Sequence, residues 1–95
     1  MLIAKVEYGV KAEFADRNMA NIRAFLPEVR RRLQPGSSYS VSTSADGLSF
    51  LHLFSHEDEA EEAMLGEIPA FKLFLDELFG GGCEGPPAIS HHKEI

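Results

Sequence analysis

The run Phe50-Leu51-His52-Leu53-Phe54 constrains the fold more than any other stretch. Successive side chains of an extended strand point to opposite faces, so Phe50, His52 and Phe54 share one face while Leu51 and Leu53 share the other. A strand with large apolar residues on both sides needs a cover on both. His52 enters the same argument as a titratable ring among apolar neighbours. It is either a core histidine whose nitrogens have ordinary partners, or a group lining a pocket.

The rest of the chain supplies the layers. Leu2, Ala4, Val6, Tyr8 and Val10 recur with period two, which predicts a strand over residues 2–10, with Ile3, Lys5 and Glu7 on its other face. Met19, Ile22, Phe25, Leu26, Val29 and Leu33 follow a helical stripe over residues 14–33, with Asp16 as cap and acidic first-turn residue. Pro27 predicts a kink, because its ring removes a hydrogen bond to Arg23. Arg30 to Arg32 suit the negative end of that helix and read as a solvated terminus, and Pro35-Gly36 forces a turn.

Strands over residues 39–44 and 48–55 join through Asp46-Gly47, a hairpin signal. A two-residue loop there pairs Thr43 with Phe50, Val41 with His52 and Tyr39 with Phe54. Ser55 with Asp58 resembles a capping box, and the acidic run from Glu57 to Glu62 reads as the solvated face of a helix through about Leu65. Pro69 opens a second piece, with Ile68, Phe71, Leu75 and Leu78 as its buried stripe and Phe74 beside it. Gly80 to Gly82 stop it, residues 84–87 form a turn-rich connector, and residues 88–95 form a last strand.

The order β-α-β-β-α-β is that of a ferredoxin-like antiparallel sheet with two helices on one face. Ninety-five residues with seven Phe fit a single domain over residues 1–95. Two helices cover one face only, so a second copy is the simplest cover for the other, and a homodimer is expected. The net charge of -6 argues against a nucleic-acid partner. No window reaches the roughly 20 apolar residues of a membrane span, and no signal peptide is evident. The lone Cys83 suits a reducing cytoplasm and reads as an incidental thiol.

Pro35-Gly36 before Tyr39-Ser40-Val41, the hairpin, Phe50 to Phe54, and above all Ile68-Pro69-Ala70-Phe71-Lys72-Leu73-Phe74-Leu75 resemble the antibiotic biosynthesis monooxygenase family of dimeric α+β barrels. The similarity spans roughly residues 2–79. It implies one pocket per subunit between helices and sheet, taking an aromatic or quinol-like metabolite, and an oxidation that needs no cofactor. The family's haem-degrading branch relies on an Asn in the first strand and a His in the second helix. Residues 2–10 hold no Asn and the matching helix position is Leu75, which argues against that chemistry. Met64 or Leu65 stands where many relatives have another His.

Within that frame His52 is the candidate proton acceptor, with Tyr39 or Tyr8 as orienting hydroxyl. Phe50, Phe54, Met64, Phe71 and Phe74 are the candidate lining of an apolar pocket, each equally readable as plain core. No metal is expected: His52 and His56 lie about 13 Å apart along a strand, too far to share an ion that each holds at about 2 Å. His91 and His92 point to opposite faces, so one of them at most approaches the other histidines. Lys5 and Glu7 read as a surface or dimer-rim ion pair. The non-catalytic alternative is a ligand-binding or structural dimeric module whose pocket is filled by side chains.

Overall fold

A computed structural model describes residues 1–95. Its strands are β1 (Leu2–Val10), β2 (Ser38–Thr43), β3 (Ser49–His56) and β4 (Cys83–Lys93), and its helices α1 (Ala15–Arg32), α2 (Glu59–Met64) and α3 (Pro69–Glu77). The sheet is antiparallel in the order β2-β3-β1-β4, with the chain passing through β1, α1, β2, β3, α2 with α3, and β4. This is the expected ferredoxin-like arrangement.

Register assigns the faces. Tyr8, Val6, Ala4 and Leu2 of β1 stand opposite Phe50, His52, Phe54 and His56 of β3, and Tyr39 and Val41 of β2 stand opposite Phe54 and His52. This face packs on the helices through Ile22, Phe25 and Val29 of α1 and Phe71 and Phe74 of α3, all buried. Phe25 ties the layers, with ring centroids 5.0 Å from Phe71 and 4.9 Å from Phe74. The other face carries Ile3, Lys5, Glu7, Leu51 and Leu53, and Leu53 is 38% exposed. In the single chain that face is open.

Several local expectations are corrected. The hairpin register is as counted, but the connection is the four-residue loop 45–48: the Ser44 amide donates to the Ser49 carbonyl, and Gly47 donates back to Ser44, each at 2.9 Å. Asp46 Oδ1 accepts from the Leu48 amide and the Ser44 hydroxyl, holding the turn with side-chain bonds that a two-residue loop would not use. Because the loop length stays even, no side chain changes face. Asp16 is not the cap of α1; a 3-10 turn over Ala12–Phe14 leads in, and Phe14 occupies the cap position without a side-chain bond. Helix α1 continues through Pro27 to Arg32.

Ser55 does not start α2, since β3 runs on to His56 and Asp58 is the cap, accepting the Glu61 amide at 3.0 Å. In α3 it is Phe74, 3% exposed, that lies in the buried stripe, while Leu75 is only partly buried. The three glycines do not stop the helix outright; the chain widens through Leu78–Gly82 and leaves the helix at Gly81, whose φ is +136°. Residues 84–87 belong to β4, not to a connector: Pro86 and Pro87 are tolerated because β4 is an edge strand, and the register with β1 slips between Glu7 and Gly9. That strand ends at Lys93.

Candidate functional site

The eight residues singled out in the sequence converge in the core, none more than 8% exposed. Alternation along β3 turns His52 toward the helices, between Val6 of β1 and Val41 of β2. Its ring stacks against Phe74 at a centroid distance of 5.4 Å and meets Tyr8 and Tyr39 at 5.3 and 5.8 Å. Phe50 stacks on Tyr8 and Phe54 packs on Tyr39, so both reach His52 through the tyrosines. Phe71 joins through Phe25 and Phe74, and Met64 belongs to the same buried cluster.

Polar atoms in this cage form one chain. The Asn18 amide donates to the Tyr8 oxygen at 3.1 Å, and the Tyr8 hydroxyl is hydrogen-bonded to His52 Nε2 at 2.7 Å. His52 Nδ1 lies 2.8 Å from the Tyr39 hydroxyl, so the neutral imidazole donates to one tyrosine and accepts from the other. Burial disfavours charge on each member. The His52 pKa is pushed down from 6.5 to about 4 by desolvation. Both phenols are raised well above their usual range, Tyr8 by burial against the opposing pull of the Asn18 bond, Tyr39 by burial and then by its proximity to Tyr8. At neutral pH the chain is therefore uncharged throughout, and both nitrogens of the imidazole are in use.

His52 itself does not line the surface concavity that its neighbour Tyr8 borders. That concavity, of about 520 Å³, starts at Tyr8 and Phe50 and opens over Glu7, Ser42, Leu51 and Ala88 toward the uncovered face. Lys5 and Glu7 pair at 3.1 Å on that face, half exposed.

Sequence reasoning missed two neighbours of His52 and one anchor. Asn18, fully buried, lies four residues before Ile22 and seven before Phe25 on the inward stripe of α1, and a polar residue in that stripe was the available signal. Phe25 itself was placed in the core, but its stacking over His52 at 6.2 Å depends on how α1 crosses the sheet. Glu61, read as part of a solvated acidic face, is 4% exposed and accepts from the Gln34 and Glu57 amides and the Ser37 hydroxyl. Burial works to raise its pKa, but those donors, with His56 nearby, outweigh it and hold the carboxyl below the usual range.

No family model and no curated protein matches the sequence. Solved structures do match in shape. An antibiotic biosynthesis monooxygenase superposes with a TM-score of 0.84 at 14% identity, over 100% of this chain and 99% of that one. A candidate antibiotic biosynthesis monooxygenase from Nitrosomonas europaea gives 0.84 at 16% identity, with 100% and 99% covered. A third, from Deinococcus radiodurans, gives 0.77 at 16% identity, with 100% and 93% covered. The resemblance drawn from Pro35-Gly36 and from the segment after Ile68 thus holds along the whole chain, and this protein has the fold of the antibiotic biosynthesis monooxygenases.

Proposed function

We propose that this chain is a single-domain, homodimeric small-molecule-binding module of the antibiotic biosynthesis monooxygenase type, closed around His52, that binds its ligand without oxidising it from that residue. The observation that carries this reading is the enclosure of His52, 3% exposed with a tyrosine hydroxyl on each nitrogen. Proton energetics agree. Moving a proton from an ordinary aromatic hydroxyl, with a pKa near 10, to a base near 4 is uphill by on the order of 8 kcal/mol. The concavity over Glu7, Ser42, Leu51 and Ala88 has a volume suited to a small aromatic ligand and would be roofed by a second copy on the open face. A reducing compartment, the cytoplasm, suits the free Cys83, and no helix is long and apolar enough to cross a membrane.

A second reading keeps His52 as the base of a cofactor-independent oxidation of a quinol, with Tyr8, Tyr39, Phe50, Phe54, Met64, Phe71 and Phe74 around the substrate. The chain Tyr8–His52–Tyr39 favours it, because two phenols bracketing an imidazole in an aromatic cage occupy positions a phenolic substrate would take. The tyrosine hydroxyl on the unprotonated nitrogen would have to leave it first. Oxygen uptake with an aerated quinol separates the two. Wild type and His52→Ala are both expected to match the buffer rate; turnover in the wild type that vanishes in a still-dimeric His52→Ala establishes the oxidase instead.

A further inference from the structure

His56 closes β3 at the end of the sheet away from the hairpin. Its ring stacks on Phe54 with centroids 4.3 Å apart and is 0% exposed, yet neither ring nitrogen has a hydrogen-bond partner. Nε2 stands 3.3 Å from Glu62 Oε2, close enough for an ion pair but not aligned as a hydrogen bond. A buried imidazole left in this state calls for a further partner, such as an ion.

The fold brings two more donors to the same place. Leu2 pairs with His56 on one side of β1, and Ala4 pairs with His91 on the other. His56 and His91 therefore rise from the same face, on either side of β1. Glu62 of α2 reaches over both, with its second oxygen 3.9 Å from His91 Nε2. These residues and Glu59 line a concavity of about 330 Å³, with His92 and Lys93 also on its border. With β1 between β3 and β4, the two imidazoles meet at one ion only if His91 swings inward, and Glu62 already approaches both.

We propose that His56, Glu62 and His91 form a binding site for a divalent transition-metal ion of the zinc type. Two imidazoles and a carboxylate are the donor set such ions select, with a position left over for Glu59 or water. Donors each about 2.0–2.1 Å from one tetrahedral ion stand roughly 3.3 to 3.4 Å apart, and His56 Nε2 and Glu62 Oε2 are 3.3 Å apart. The three donors do not yet close on a common point. Closure asks only that Glu62 and His91 rotate, and their side chains are 43% and 64% exposed, while packing holds His56. His92 borders the same concavity but serves as the control: it pairs with Ile3 on the opposite face of the sheet and its Nε2 lies 3.0 Å from the Ser90 hydroxyl.

The test is zinc titration of the untagged full chain against a chromophoric chelator, with cobalt(II) absorption as a second readout. The expected result is one ion per chain, with the affinity lowered at least about tenfold in both Glu62→Gln and His91→Ala, since losing a ligand costs no less than losing its supporting contacts. His92→Ala should bind as wild type. His56→Phe keeps the stack on Phe54 and should lose the site; should it misfold, the two exposed-residue variants still decide. Absence of saturable binding, unchanged affinity in Glu62→Gln or His91→Ala, or a loss in His92→Ala equal to that in His91→Ala overturns the proposal.

Discussion

His52 gives the protein a defined dependence on pH. Its folded pKa, about 4, lies below the ordinary 6.5, so the unfolded chain binds the extra proton first as pH falls. Stability is unaffected by this group above about pH 6.5, declines as pH drops toward 4, and loses on the order of 3 kcal/mol at full effect. Urea midpoints from pH 7 to 4.5 should fall steadily in the wild type, and the slope should flatten in His52→Gln. An equal slope in both would assign the dependence to other groups. Gly82 presents a steric constraint instead: a Cβ built there would stand 2.3 Å from the Phe14 ring. Gly82→Ala should cost about 1–3 kcal/mol by overpacking. Thermal denaturation of Gly82→Ala with and without Phe14→Leu checks it, the second change being expected to return part of the loss.

At the scale of elements, Glu61 fastens the start of α2 to the connection between α1 and β2 through the Gln34 amide and the Ser37 hydroxyl, and to Glu57 by a third bond. Removing the carboxylate leaves buried donors without an acceptor, which costs about 1–3 kcal/mol. Glu61→Ala should show that loss together with faster amide exchange at Gln34 and Glu57, while the amides of β1 keep their protection. Slowed or unchanged exchange at those two positions would count against the clamp. Across the molecule Arg17 and Asn21 hold Glu77 in the same manner, tying α1 to α3.

At the scale of the whole molecule, the sheet face away from the helices is the one that a second copy would cover. Leu51 and Leu53 stand there with Ile3 among serines, Lys5 and Glu7, and Leu53 pairs directly with Lys5. Burying what such leucines still expose against a second copy would contribute up to about 1.5 kcal/mol each, about tenfold in affinity. Sedimentation at micromolar protein should find a dimer, and Leu53→Lys, which sets a second cation beside Lys5, should weaken it tenfold or more. A wild-type monomer would leave that face without its expected cover.

Much of this architecture was legible in the amino-acid order because it rests on local periodicity. The alternation of β1, the even spacing about Asp46-Gly47 and the stripe from Ile22 to Val29 assign faces and register without reference to distant residues. The same alternation placed Tyr8, Tyr39, Phe50, His52 and Phe54 on one side. Other features were not legible, because they depend on which separate elements meet. Asn18 reaches Tyr8 only through the crossing of α1, Glu61 is buried only because the α1–β2 connection lies over it, and Glu62 approaches His56 and His91 only once α2 is brought beside the ends of β3 and β4. Periodicity specifies the side of an element a residue occupies; the partner it finds there is a property of packing between elements, and that was decided by the tertiary structure alone.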